Sequence, residues 1–208
     1  MSTFVTPLQF STVQPNLYRG SYPREINLPF IETLNLKNVI SLTPKAIDSE
    51  SDGSLTNFCN ANNINLIHIQ AGKVKVPKDK SKKADKPKVK RKQKAVPIEY
   101  DTVIQCIRVL IDKNNYPCYI HGATDNDMIT SLIVACLRKL SFWSNIAIIN
   151  EYLTYNSSIN IHERNFIENF NSEITIDNTK LKDKVPWIHM QSITNTNKTL
   201  PKLVFEQQ

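Results

Sequence analysis

The chain predicts an α/β architecture, a central sheet flanked by helices, on three observations. Short apolar runs of strand character alternate with segments of helical spacing from Asn16 to Leu140, the order from which sheets with right-handed crossovers are built. The stretch from Tyr116 to Leu140 reads as strand, polar loop and helix in immediate succession. No window of about eighteen apolar residues occurs, so a membrane-spanning helix is excluded from the reading.

The central stretch carries the most information. Pro117 opens a short apolar run, Cys118 to Ile120, that ends in His121, and a polar loop from Gly122 to Asp127 follows. Beyond it Ile129, Leu132, Ile133, Cys136, Leu137 and Leu140 recur at helical spacing, which predicts a helix buried along one face. A loop that leaves a strand and opens a helix points free backbone N–H groups into a concavity and favours an anion there.

The other elements follow in order. Met1 to Pro15 reads as an extended arm whose Phe4, Val5, Leu8 and Phe10 can pack along a sheet edge. Asn16 to Gly20 is a short strand and Leu28 to Leu36 a helix, with Pro29 tolerated in its first turn. Val39 to Thr43 is a buried strand stopped by Pro44, Ser51 to Asn63 a short helix, and Ile64 to Ile69 the next strand. A helix begins near Pro97, with Tyr100, Val103, Ile104, Ile107, Leu110 and Ile111 on one face. Ser144 is the expected N-cap of a helix with Ile146, Ile149, Tyr152 and Leu153 inward, and His162 to Phe170 makes another. Trp187 is expected to dock on the domain. The organisation predicted is an arm over 1–15, one domain over 16–190 and a polar tail over 191–208.

Charge is distributed unevenly. Between Lys73 and Lys94 twelve Lys or Arg stand against Asp79 and Asp85, a local +10; with +7 over the whole chain, the remaining 186 residues carry −3. This run has no aromatic residue and cannot bury enough apolar surface to offset its ordering entropy, so a disordered basic insertion at 73–94 is expected. Its densest part, Lys86, Lys88, Lys90, Arg91, Lys92 and Lys94, admits three readings: solvated charge, a patch for polyanions such as inositol polyphosphates, RNA or anionic lipid, or a nuclear import signal. Without interleaved aromatics it predicts no sequence-specific nucleic-acid binding. Cys59, Cys106, Cys118 and Cys136 lie in apolar segments without C-x-x-C spacing or clustered histidines, which predicts reduced core thiols and no metal site. Met1 to Gln14 lacks the basic start and apolar run of a signal peptide, so a soluble, cytoplasmic protein is expected, the nucleus being the alternative compartment.

Several stretches resemble one family. Asn16-Leu-Tyr-Arg-Gly-Ser-Tyr-Pro-Arg24, Leu34 to Leu42, Pro117 to His121, Cys136-Leu-Arg-Lys-Leu140, Trp143-Ser144, Glu151-Tyr152 and Phe166-Ile167-Glu168 are similar to the plant and fungal atypical dual-specificity phosphatases. Within them the chain resembles the fungal Oca proteins, named for oxidant-induced cell-cycle arrest, over roughly Val5 to Trp187. The resemblance implies a cysteine-phosphatase-like central sheet flanked by helices, no cofactor, other Oca-type proteins as partners, and relatives active on inositol pyrophosphates.

It also implies a signature of His, Cys, five residues, Arg, then Thr or Ser, and this sequence departs from it. Anchored on His121, the nucleophile position is Gly122 and the arginine position Met128; anchored on the helix with one extra loop residue, they are Ala123 and Ile129. Neither register supplies a thiol to attack phosphorus or a guanidinium to clamp two phosphoryl oxygens. The loop residues Thr124, Asp125, Asn126 and Asp127 add two negative charges instead. Each like-charge contact at about 4 Å costs about 1 kcal/mol in water and roughly 4 at an effective dielectric of 20.

Rescue candidates within the sequence are poor. Cys118 lies in a strand three residues before His121, without a basic neighbour in the loop to lower its pKa. Thr124, Thr130 and Ser131 have no evident base and read as capping or packing residues, and His121 reads as a backbone-bonded support for the loop. The general acid that the resemblance implies would fall on the basic insertion, where Asp79 and Asp85 read as solubilising charges. The expectation is a catalytically degenerate phosphatase fold acting as a binding or scaffold subunit; the alternative is an active protein-tyrosine or inositol-pyrophosphate phosphatase.

Overall fold

Strands β1 (Ser11–Gln14), β2 (Leu17–Gly20), β3 (Asn38–Thr43), β4 (Asn65–Gln70) and β5 (Cys118–Gly122) form the central sheet in the spatial order β1-β2-β5-β3-β4. The computed structural model describes residues 4–72, 96–123, 128–191 and 197–206. The basic insertion lies outside them, as do Thr124 to Asp127 of the loop. Strand β5 sits between β2 and β3, parallel to both, while β1 pairs antiparallel with β2 at the edge. Val39 to Thr43 and the Asn16 strand are therefore found as the sequence predicts, and the N-terminal arm contributes an additional strand.

Side-chain alternation along the strands sorts two cores. Val39 and Tyr119 face helices α1 (Leu28–Glu32) and α2 (Gly53–Ala61), packing with Leu28, Ile31, Leu55 and Cys59. Ile40, Leu42, Cys118 and Ile120 face the larger core built with α3 (Tyr100–Leu110), α4 (Met128–Leu140), α5 (Asn145–Tyr155) and α6 (Ile161–Glu168). All four cysteines are buried and free, and Trp187 packs against the larger core as expected.

Three readings of the sequence need correction. Helix α4 is buried on every face from Thr130 to Leu140, not along one stripe, because the sheet, α3, α5 and α6 surround it. Its two cations are absorbed locally. Arg138 donates from Nε and Nη2 to both carboxylate oxygens of Glu151 at 2.7 and 2.6 Å and lies 4.2 Å over the Trp143 ring. Lys139 Nζ donates to the Ile167 carbonyl at 3.2 Å and to that of Glu168, placing a cation at the negative end of α6. Helix α5, capped by Ser144 as predicted, is turned differently from expectation: Ile148 and Tyr152 are buried, whereas Ile146 and Leu153 are 77% and 40% exposed. Finally, the polar tail contains strand β7 (Lys202–Phe205), which pairs in parallel with β6 (Glu173–Ile176) and buries Leu203. Among the described residues no helix is long and apolar enough to cross a membrane.

The packing of the Tyr119 side chain across β2 depends on Gly20. A Cβ there would lie 2.4 Å from Tyr119 Oη and 3.3 Å from Pro7 Cβ, while Tyr119 Oη donates to the Ser21 carbonyl at 2.7 Å. Gly20→Ala is expected to destabilise the fold by about 1–3 kcal/mol in urea unfolding. Adding Tyr119→Phe, which removes the nearest clashing atom, should return part of that loss.

Candidate active-site loop

The C-terminal ends of β3, β4 and β5 point to one side of the sheet, where open α/β sheets hold their ligands. His121 and Gly122 are the last residues of β5, in register with Ser41 and Leu42 of β3, and Met128 begins α4. The expected strand and helix that frame the loop are thus in place. Ile129, the arginine position in one register, is half-buried; a Cβ on Gly72 would lie 3.6 Å from its Cδ1 and 3.5 Å from Pro44 Cγ. An aliphatic side chain, with no donor for a phosphoryl oxygen, therefore stands among the residues that follow β3 and β4.

His121 shares the parity of Tyr119 and so points toward the α1/α2 face. It is fully buried, Nδ1 donates to the Gly122 carbonyl at 2.8 Å, and the Tyr22 ring meets it nearly edge-on, centroids 5.1 Å apart at 83°. Its Nε2 has no hydrogen-bond partner among the described residues. Burial lowers its pKa from 6.5 to about 4, against the opposing effect of the Gly122 carbonyl. The imidazole is therefore neutral at physiological pH and supports the loop's backbone, as the sequence suggested. It brings no positive charge to the mouth.

Cys118 is the wrong thiol in the wrong place. It begins β5, four residues before Gly122, a separation of about 13 Å along an extended strand. Its Sγ donates to the Asn115 carbonyl at 3.0 Å, and burial pushes its pKa up to about 12 despite opposing help from Asn38 and Lys37. At neutral pH it is a thiol, not a nucleophilic thiolate.

Sequence reasoning missed two supports of the site. Arg19, 3% exposed, donates from Nη2 to Ser131 Oγ in the first turn of α4 at 2.6 Å and stacks 3.9 Å over the Tyr155 ring. Tyr22 Oη donates to Asp52 Oδ2 at 2.7 Å, and Asp52 caps α2 by accepting from the Leu55 amide at 3.0 Å; burial first, then this bond, raises the Tyr22 pKa. The available signal was a charged residue within the apolar Asn16 strand. Among the described residues no group of three His, Cys, Asp or Glu is placed to hold a metal ion.

A mostly parallel sheet whose central strand runs into a loop and then a buried helix is shared by several α/β folds, among them the cysteine phosphatases. Solved relatives agree. Two structures of the Siw14 catalytic core, one specified as from S. cerevisiae, match at 25% and 24% identity with TM-scores of 0.65 and 0.61, over 81% and 80% of this chain and 88% and 87% of theirs. OCA6 of Saccharomyces cerevisiae, provisionally named a tyrosine-protein phosphatase, is 60% identical over 196 residues, 93% of this chain and 83% of that protein. The inositol diphosphatase DSP3 of Arabidopsis thaliana is 32% identical over 79% of this chain and 70% of its own length. With residues 4–189 matching the Tyrosine phosphatase family, the chain belongs to that family, in its Oca branch.

The buried histidine sets a pH dependence. In the unfolded chain it takes a proton near pH 6.5, in the folded chain only near 4, so the unfolded state binds the extra proton between those values. Stability present above pH 6.5 is then lost as the pH falls toward 4, by up to about 3 kcal/mol from this group. Urea unfolding at about pH 7.5 and about pH 5 should show a shallower pH dependence for His121→Phe than for the wild type; equal slopes would mean that the imidazole is not desolvated.

Proposed function

We propose that this family member has lost phosphocysteine chemistry and works as a binding or scaffold subunit in phosphate, inositol-pyrophosphate or stress signalling, with other Oca-type proteins as partners. One observation carries the reading: neither Gly122 nor Ala123 is a nucleophile and neither Met128 nor Ile129 is a guanidinium, so both registers lack both groups. Phosphoryl transfer needs a thiolate to accept the phosphoryl group and a cation to hold its equatorial oxygens. Asp125 and Asp127 oppose a dianion there. In this reading the domain spans 16–190, the cytoplasm is its compartment, and the basic residues Lys86, Lys88, Lys90, Arg91, Lys92 and Lys94 of an insertion at 73–94 form a polyanion contact suited to inositol polyphosphates.

The likeness to the inositol diphosphatase DSP3 favours a second reading, an active tyrosine or inositol-pyrophosphate phosphatase. Phosphate release by the purified chain from an aryl phosphate and from an inositol pyrophosphate separates the two. The degenerate loop predicts no turnover above background for the wild type and no change on Cys118→Ser. Turnover that disappears with Cys118→Ser would establish the second reading.

A further inference from the structure

Strands β1 and β4 close the central sheet at its two edges, and they differ in how they are protected. At the β1 edge the register breaks between Thr12 and Gln14, the kind of irregularity that keeps an edge from pairing further. Strand β4 pairs with β3 at every position from Asn65 to Gln70 without a break. Its sequence, Asn-Leu-Ile-His-Ile-Gln, holds no proline, lysine or carboxylate, the residues that natural proteins place on edges to stop strand addition.

The ladder also decides which backbone groups of β4 turn outward. The Asn65 and Ala71 amides donate to the Lys37 and Thr43 carbonyls at 2.9 and 3.1 Å. Odd-numbered residues therefore bond toward β3, and Leu66, His68 and Gln70 turn their N–H and C=O groups away from the sheet. Among the described residues none of these three amides donates, and of their carbonyls only that of Gln70 accepts, from Thr102 Oγ1 at 3.4 Å. The His68 ring bonds the Thr43 carbonyl at 2.9 Å, on the sheet face that Leu66 shares with α1 and α2, and so does not cover the edge. Such a row of alternating donors and acceptors is matched by another extended backbone.

Charge selects the kind of strand. Lys73 is three residues beyond Gln70, so covalent geometry keeps their Cα atoms within about 11 Å of each other. It begins the run to Lys94, in which twelve Lys or Arg stand against two Asp, a local +10. A second copy of this chain would bring the same charge to the edge and be repelled, whereas an acidic strand would be drawn in. We propose that the outer edge of β4 takes up an extended acidic segment of another protein as a sixth strand of the sheet. The backbone of Leu66, His68 and Gln70 pairs with it, and the positive charge that follows the strand attracts it. The proposal goes beyond the reading of the loop and holds whether or not the loop turns over, since β3 separates β4 from the strand that carries the loop.

Amide hydrogen exchange of the full chain, read by NMR, tests it. In the free protein the amides of Leu66, His68 and Gln70 should exchange at least about tenfold faster than those of Ile67 and Ile69, which bond to β3. The probe is a soluble ten-residue peptide of alternating threonine and glutamate. It should slow the three outward amides about tenfold at saturation and bind with a Kd on the order of 10–100 µM at about 50 mM salt, weakening at least about fivefold at about 500 mM. A peptide of alternating proline and glutamate carries the same charge but lacks half of the N–H groups, and should leave the three amides unprotected. Gln70→Pro removes an outward N–H that serves no bond to β3, so it should weaken binding at least about fivefold while thermal melts match the wild type; the wild-type exchange pattern decides the matter even where this variant fails to fold. Equal protection by the proline peptide would reduce the effect to charge alone and overturn the proposal. So would a threonine–glutamate peptide that leaves the three amides unprotected, or protection that rises with protein concentration in the absence of peptide, which would place a second copy on the edge.

Discussion

Everything at the candidate site depends on the burial of β5 between two parallel neighbours. All five residues from Cys118 to Gly122 are buried, and the ladders to β2 and β3 fix their register on both sides. A slip by one residue would exchange Tyr119 and His121 with Ile120 between the two cores. That constraint decides where the loop begins, that His121 faces Tyr22, and that α4 starts beneath the ends of β3 and β4. It acts through apolar burial and backbone hydrogen bonds, none of which requires the residue after His121 to be a cysteine.

The frame and the chemistry are therefore separable. Helix α4 is held by contacts outside the loop itself: Arg19 to Ser131 in its first turn, and, at its far end, Arg138 to Glu151 and Lys139 to the end of α6. None of these contacts needs a thiol or a guanidinium at the mouth. The neutral, buried imidazole of His121 donates to the Gly122 carbonyl, and none of Gly122, Ala123, Met128 and Ile129 carries a cation. Family membership, which follows from the frame, accordingly says little by itself about turnover.

How much was legible in the sequence varied with the range of the interaction. Local signals survived: the Ser144 cap, the strand of Val39 to Thr43 and the helix after the loop could each be read from neighbouring residues. Non-local packing could not. Helical spacing identifies a stripe but not how many elements surround it, which is why α4 proved buried all round and why Ile146 and Leu153 of α5 face outward. Strand β7 was hidden in a polar tail because its partner β6 lies some thirty residues away. The supports of the site, Arg19 under Tyr155 and Tyr22 on Asp52, join residues 136 and 30 positions apart, and no local pattern announces such pairs.

The central claim is that this loop offers a tetrahedral oxyanion neither a nucleophile nor a clamp. Amide chemical shifts of Gly122 and Ala123, followed while the folded chain is titrated with orthovanadate, test it at the residues concerned. The account predicts that these two amides do not move. A saturable shift at both, with one anion bound per chain, would contradict it and would mean that the loop still holds the ligand its family evolved to bind.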